Sequence, residues 1–485
     1  MNCVDYLFEN THSLQKTIIL GNQENLNYQT VFERSLALAN FIHHQLGTGK
    51  NILLVSENNY FFITVYLAIL KSGNVCVPLN PSIEQENLDY IIAKTKSTLG
   101  FISEFALRKL NLSLEHYSEI NITSALLNNI ENNGIATEFD GGQVAEIIFT
   151  SGSTATPKGV MLTHNNIIAN TESIVQYLNL TQDDIMMVVL PFYYCYGLSL
   201  LHTHLRVGGQ LVINNNFIFL ASTINKLNEY RCTGFAGVPS HFQILLRKTE
   251  LFKNTNFPYL RYVTQAGGKL ENAFILEFAE SFPGISFYVM YGQTEATARL
   301  SYLPPHMLKT KLGSLGKGIP GVELRVVDKK GNTVKPGKTG EIIAKGKNVM
   351  LGYFDDPDES SRTICNGWLY TGDIATTDED GYIFLKARKK EIMKIGGRRI
   401  SPKEIEAVIY MIPGIIDCSV RAVNDDLLGE AIKATIVISE NGNNINQDII
   451  KSFCSNKLAH YKIPTFIEIK NEMSISATGK KAYQH

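Results

Sequence analysis

The densest group of residues able to do chemistry lies in Ile147–Gly159, IIFTSGSTATPKG. An apolar strand pattern over Val144–Thr150 runs into a loop that carries Thr150, Ser151, Gly152, Ser153, Thr154, Thr156, Lys158 and Gly159. Small residues let backbone N–H groups approach an anion, hydroxyls add donors, and a single lysine supplies a point charge. That combination suits a polyphosphate. It is not a Walker A loop, because Lys158 is followed by Gly159 and the G-x-x-x-x-G-K-[ST] spacing is missing. A flexible Ser/Thr linker has a similar composition, but the apolar flanks and the Pro157-Lys158-Gly159 ending weigh against it. By composition alone, Asp373 reads as a turn carboxylate and Lys480, five residues from the end, as a solvated tail charge.

These residues need a scaffold, and the surrounding pattern supplies one. Thr30–Leu46 has apolar residues at helical spacing, with Thr30 expected as N-cap. Asn51–Val55 and Val75–Leu79 are short apolar runs of the kind a buried strand needs, and Tyr60–Leu70 between them reads as a buried helix stopped near Gly73. Strands alternating with helices predict an α/β fold with parallel strands. Asn128–Gly134 reads as a surface loop. From about residue 320 the pattern turns to short strands, Gly321–Val327, Gly340–Ala344 and Tyr382–Leu385, as in a small β-rich subdomain. After the charged run Lys386–Glu391, a helix is expected at Ser401-Pro402, with Glu404 closing a capping box. Strands at Ile416–Val423 and Ala431–Val437 and a helix at Gln447–His460 follow. The expected division is residues 1–385, a joint at 386–391, and a separate α+β domain over 392–485.

The chain has 485 residues, enough for about two to four domains. Its 45 Lys+Arg against 46 Asp+Glu leave a net charge of -1, which argues against a nucleic-acid-coating protein. Seven cysteines, an odd number without a C-x-x-C pair, argue against a disulfide framework or zinc site and fit a reducing, cytoplasmic setting. No secretory signal pattern opens the chain. The longest uncharged run, Ile185–Leu201, contains Pro191 and Gly197 and reads as buried strand, turn and helix, so no integral membrane segment is expected.

The loop resembles the phosphate-loop motif of the AMP-forming adenylating enzymes, the superfamily of acyl- and aryl-CoA synthetases, adenylation domains and luciferases. Ala155 stands where that motif usually has glycine. Further resemblances follow in the family's order. They are Gln265–Leu270, Tyr291-Gly292-Gln293-Thr294-Glu295, the block from Gly340-Glu341 to Gly352-Tyr353, Gly367–Asp373, Arg388 with Lys390, Lys394–Glu406, and Thr478-Gly479-Lys480. The resemblance implies a large N-terminal region of parallel α/β sheets plus a small β subdomain, followed by a mobile C-terminal domain. It implies Thr150, Ser151, Gly152, Ser153, Thr154 and Lys158 around the phosphates, and Gly267, Gly268, Tyr291 and Gly292 around the adenine. Asp373 and Arg388 would hold the ribose, Glu295 a Mg²⁺ ion, and Thr294 the α-phosphate or the acid. Lys480 would be the catalytic lysine, Lys390 the hinge, and Gly396 and Gly397 the lining of a thiol tunnel. Ser474-Ile475 replaces the family's Pro-Lys upstream of that lysine.

The implied reaction is ATP-dependent activation of a carboxylic acid as acyl-AMP, then transfer to a thiol, either CoA or the phosphopantetheine of an acyl carrier protein. The block Leu190–Gly197 matches the family's acyl pocket. Cys195 aligns where amino-acid-activating members place an aspartate, so the buried carboxylate that an α-ammonium wants is missing. Phe192, Tyr194, Cys195, Val238 and Ala266 would line an apolar or aromatic pocket for a fatty or aryl acid, or form plain core. A stand-alone enzyme loading an acyl or amino acid onto a carrier protein is the alternative. A non-catalytic homologue is disfavoured because Lys158, Glu295, Asp373, Arg388 and Lys480 are all present.

Overall fold

The computed structural model describes residues 1–22, 24–110, 118–119, 139–150, 157–389, 391, 393–395, 398–425, 429–439 and 445–473. Two large sheets carry the N-terminal region. The first has seven strands, in the order Gly352–Tyr353, Lys158–Thr163, Val144–Thr150, Val75–Leu79, Asn51–Val55, Leu99–Ile102 and Ser118–Glu119. Its last five strands are parallel, while Lys158–Thr163 folds back antiparallel onto Val144–Thr150. NILLV and VCVPL are buried almost throughout, as parallel strands covered on both faces must be. The helix Tyr60–Lys71, also buried nearly all round, joins them as the crossover.

The second sheet has eight strands, in the order Ile19–Leu20, Gln210–Ile213, Ile185–Val188, Gly234–Gly237, Tyr262–Gln265, Ser286–Tyr291, Ser301–Leu303 and Lys317–Gly318. The first six run parallel and the last two return antiparallel. The run Ile185–Leu201 is a strand, a turn at Pro191 and the start of the helix Cys195–Val207, as expected. Among the described residues no helix is long and apolar enough to cross a membrane.

The β-rich subdomain is an antiparallel five-stranded sheet of Val322–Val327, Gly340–Gly346, Trp368–Thr377, Ile364–Cys365 and Ile383–Arg388. Lys386–Arg388, part of the expected joint, continue its last strand. Beyond it lie the hairpin Met393–Ile395 and Arg398–Ile400, the helix Pro402–Ile409, and a sheet of Ile415–Asp425, Gly429–Ile438 and Phe466–Lys470. The helix Gln447–Ser455 ends five residues earlier than the pattern expected. This last segment packs on the helices Pro239–Arg247 and Asn272–Ser281. Gln243 Nε2 donates to the Tyr410 hydroxyl at 3.0 Å, Arg247 donates to the Ile415 carbonyl, and the rings of Phe274 and Tyr410 meet edge to face.

Two helix starts differ from the sequence reading. The first long helix is Tyr28–Leu46, capped by Asn27, whose side-chain oxygen accepts the Thr30 N–H at 2.8 Å. Asn27 has the extended backbone that lets a cap reach the third N–H ahead, and Thr30 lies inside the helix. At Pro402–Ile409 the capping box does not form. Ser401 Oγ instead donates to the Lys386 carbonyl at 2.8 Å, tying the last segment to the strand before it. Asn128–Gly134 lies outside the described residues.

One polar network crosses the apolar core. Glu146, on the strand Val144–Thr150, is fully buried and accepts the Tyr66 hydroxyl at 2.8 Å. The same hydroxyl lies 2.8 Å from His202 Nε2, on the helix that begins at Cys195. Burial raises the Glu146 carboxyl to about 7, against the lowering pull of the Tyr66 hydrogen bond, and burial lowers His202 to about 3. The folded state therefore holds the Glu146 proton to higher pH than the unfolded chain, whose carboxyl titrates near 4.5. Stability contributed through this group declines as pH rises from about 4.5 to 7 and is flat above, a difference of roughly 3 kcal/mol. Glu146→Gln keeps an acceptor for Tyr66 and removes the titration. Urea unfolding should show the variant gaining on the natural protein across that window. An unchanged difference between pH 5 and pH 7.5 would refute the assignment.

Candidate active site

Four neighbouring parallel strands of the second sheet end at one edge, and the loop after each carries residues singled out by the sequence. Phe192 and Tyr194 follow Ile185–Val188, and Val238 follows Gly234–Gly237. Ala266, Gly267 and Gly268 follow Tyr262–Gln265, and Gly292, Thr294 and Glu295 follow Ser286–Tyr291. The carboxyl ends of parallel strands are where open α/β sheets bind ligands. The loops are shaped for close approach. Gly267 has φ of 83°. A Cβ on Gly292 would lie 1.9 Å from the Ala298 carbonyl oxygen, so only glycine fits there.

Asp373 is a buried charge, with only 2% of its surface exposed. Its Oδ2 accepts the Tyr291 hydroxyl at 2.7 Å and its Oδ1 accepts Arg388 Nε at 3.2 Å. Asp373 and Arg388 are direct cross-strand partners in the five-stranded sheet, so the pair is built into the register. Burial raises the Asp373 carboxyl above its ordinary value, while Arg388 and the Tyr291 hydroxyl pull it back down. Glu341 steadies the turn before Asp373 by accepting the Gly372 N–H at 3.1 Å, and it pairs with Lys389 at 3.1 Å.

A second cluster surrounds Glu295. Its Oε1 accepts the Tyr353 hydroxyl at 2.8 Å, and its carbonyl accepts the Met350 N–H at 2.9 Å. Lys158 Nζ lies 5.3 Å from the centre of the Tyr353 ring and pairs with Glu359 at 2.6 Å. Gly352–Tyr353 is held in place as an added strand on Lys158–Thr163. Thr150 Oγ1 reaches the Lys158 carbonyl only at 3.5 Å, leaving its hydroxyl loosely engaged.

The block Leu190–Gly197 adjoins the turn that carries Glu295. Cys195 Sγ lies 3.5 Å from Thr294 Oγ1, both buried. Phe192 is fully buried and its N–H donates to Asn58 Oδ1 at 2.7 Å, while Tyr194 precedes the helix Cys195–Val207. Val238 and Ala266 are buried, and the Val238 N–H points at His241 Nδ1 at 3.3 Å. The His241 ring packs on Phe217 at 4.3 Å, and burial lowers its pKa to about 4, so it is neutral at pH 7.

The sequence matches the family of AMP-binding enzymes over residues 8–354 and that family's C-terminal domain over residues 404–480. The chain belongs to the AMP-binding enzymes. It is an AMP-forming acid–thiol ligase. Among its relatives is an oxalate–CoA ligase of Arabidopsis thaliana, 29% identical over 448 residues, covering 89% of this chain and 87% of the relative. Another is a long-chain-fatty-acid–CoA ligase of Escherichia coli, 28% identical over 502 residues, covering 94% and 89%. The fold of this AMP-binding enzyme matches a solved anthranilate CoA ligase in complex with anthranoyl-AMP, with a TM-score of 0.90 at 22% identity over 99% and 95% of the two chains. It also matches an o-succinylbenzoate CoA synthetase of Bacillus subtilis in complex with ATP and magnesium ion, with a TM-score of 0.84 at 23% identity over 99% and 98%.

Of the sequence-predicted residues, the structure joins Tyr291, Asp373 and Arg388 in one network and Cys195 with Thr294 in another contact. Ser151, Gly152, Ser153, Thr154, Lys390, Gly396, Gly397 and Lys480 lie outside the described residues. Sequence reasoning missed the partners Glu359 and His241, and gave Glu341 and Tyr353 no contact of their own. No local motif marks these partners, because Lys158 and Glu359 are 201 residues apart. Gly292→Ala should lower stability by about 1–3 kcal/mol through the clash with Ala298. A denaturant midpoint equal to that of the natural protein would contradict the close approach.

Proposed function

We propose that this enzyme activates a fatty or aryl carboxylic acid with ATP and passes the acyl group to CoA in the cytoplasm. The observation that carries the reading is the joining of Tyr291, Asp373 and Arg388 beside Thr294, Glu295 and the apolar block around Cys195. In this reading residues suited to a nucleotide and to an acid meet at one edge of the eight-stranded sheet, with Asp373 and Arg388 added from the five-stranded sheet. The names of the relatives, CoA ligases of oxalate and of long-chain fatty acids, support CoA as the thiol. Seven free cysteines fit a reducing compartment.

A free carboxylate is a poor electrophile, so it needs a leaving group. One carboxylate oxygen attacks the α-phosphorus of ATP, the bond from that phosphorus to the bridging oxygen breaks, and pyrophosphate leaves with the electron pair. The CoA sulfur, as thiolate, then attacks the acyl carbon, the C–O bond to phosphate breaks, and AMP leaves. In this reading Tyr291 packs on the adenine and Asp373 accepts from the ribose hydroxyls, with Arg388 beside it. Gly267, Gly268 and Gly292 let the nucleotide lie close to the backbone. Thr294 donates toward the α-phosphate or the acid. Ser151, Gly152, Ser153, Thr154 and Lys158 face the leaving phosphates, with Thr150 at the loop's entrance.

Glu295 fits a magnesium site. Its Oε1 is engaged by Tyr353, and its Oε2 has no hydrogen bond among the described residues. A magnesium ion is commonly held by one or two carboxylates together with substrate phosphates. Bound there, Mg²⁺ would neutralise triphosphate charge. Lys480 stabilises the charge that develops around the α-phosphorus. Lys390 acts as the pivot that takes it away, and Gly396 and Gly397 line the path of the thiol arm.

Pyrophosphate release from ATP over a panel of fatty and aryl acids, with product analysis with CoA and with a phosphopantetheinylated carrier protein, tests the reading. Acyl-CoA as the product supports it. Transfer to the carrier protein alone overturns the choice of thiol, and release with amino acids alone overturns the choice of acid. Lys480→Ala should slow adenylation by about 10²–10³-fold, the loss typical of removing one charge-stabilising donor. It should leave thioester formation from supplied acyl-adenylate largely intact. Equal loss in both half-reactions would refute the two-pose assignment.

A further inference from the structure

Arg299 is the largest fully buried side chain in the described structure, with 2% of its surface exposed. Its chain position is fixed on both sides. The next residue, Leu300, donates its N–H to the Tyr291 carbonyl at 2.8 Å, and Asn348 Nδ2 donates to the Arg299 carbonyl at 2.7 Å. The guanidinium carbon lies 4.0 Å from the centre of the Tyr196 ring. Tyr196 belongs to the acid-binding block, directly after Cys195, and is itself held by Thr264 through its hydroxyl. Arg299 therefore enters between the strand that ends at Tyr291 and the helix that opens at Cys195.

The partners of this cation are all neutral. Nε donates to Met290 Sδ at 3.3 Å and a terminal nitrogen donates to the Ala298 carbonyl at 3.3 Å. The Tyr177 hydroxyl lies beside it and donates to Met290 Sδ at 3.0 Å. Among the described residues no carboxylate pairs with Arg299, whereas Arg247, Arg261 and Arg388 each face an acid. A buried guanidinium without an anion is costly, and a cation–π contact offsets only part of that. A second observation points the same way. Ser173 is buried and its Oγ has no hydrogen-bond partner among the described residues. It lies on the same face of the helix His164–Leu178 as Asn170 and Tyr177, which both meet Arg299.

We propose that Arg299 is a specificity-determining residue that receives a second carboxylate of the acid substrate, so that the preferred acids are dicarboxylic, with an apolar or aromatic body between the two acid groups. The inference rests on the ligase reading and narrows its substrate class. One carboxylate is activated beside Thr294, and the other takes the donors of the planar guanidinium, a fork matched to carboxylate geometry. The Ser173 hydroxyl is a further donor on that side. The Tyr196 ring, 4.0 Å from the guanidinium carbon, limits where the fork can move.

Paired acids of matched body test this in the full-length enzyme: hexanoate against adipate, decanoate against sebacate, and benzoate against terephthalate, each read by ATP-dependent pyrophosphate release. The dicarboxylic member of at least one pair should have a kcat/KM roughly 10- to 100-fold above its monocarboxylic partner, the range expected of one charge-assisted contact. Arg299→Met should collapse that ratio, mainly through KM, and Arg299→Lys should restore part of it. If the monocarboxylic acid wins in every pair, the role of Arg299 is refuted while the ligase reading stands. If the ratio survives in Arg299→Met, another residue reads the second group and the assignment is wrong. If no acid of any kind supports release, the ligase reading itself fails. Should Arg299→Met not fold, the paired comparison in the natural enzyme still decides.

Discussion

A parallel strand can be followed by another only after the chain has crossed back over the face of the sheet. Every strand in such a run therefore finishes at the same edge, and every loop that leaves those ends meets its neighbours there. The site depends on this constraint. Ile185–Val188, Gly234–Gly237, Tyr262–Gln265 and Ser286–Tyr291 lie side by side, and their exits supply both the apolar block and the Tyr291–Glu295 turn. The β-rich subdomain then contributes Asp373 and Arg388 from a pair of antiparallel strands, where register alone sets two side chains opposite each other. Tyr291 joins the two architectures through one hydroxyl.

Much of this was legible in the sequence because it is local. The turn after Tyr291 needs a glycine at one position, and Gly292 is there for a steric reason that holds in any chain with that turn. Strands such as NILLV announce burial on both faces by lacking polar alternation. What stayed hidden depends on partners far along the chain. Asn27 and Thr30 are both good caps, and only the backbone entering the helix decides between them. Ser401 and Glu404 have the spacing of a capping box, but the serine finds the Lys386 carbonyl instead. No local motif marks Arg299, and only its burial against Tyr196 sets it apart.

The core links the two halves of the site by a less obvious route. Glu146 lies on the strand Val144–Thr150, and His202 lies on the helix that opens at Cys195. Tyr66 bonds to both from a third element, the helix Tyr60–Lys71. Polar groups so placed resist sliding of one element past another, since any shift leaves a buried acceptor or donor unmatched. The strand Val144–Thr150 and the helix Cys195–Val207 are thus held in register through the core.

The pairing of Lys158 with Glu359 would give the proposed phosphate site a built-in rival to its ligand. An anion arriving there does not meet a bare cation but must take the place of a carboxylate already seated at 2.6 Å. A small monovalent anion exchanges one single charge for another and has little to gain. A polyvalent chain of phosphates, gripping several donors at once, can displace the carboxylate and leave it to solvent. If the loop takes the phosphates of ATP, as proposed, the ion pair would be a threshold that favours polyvalent anions over monovalent ones, before any of the shape of the nucleotide is read.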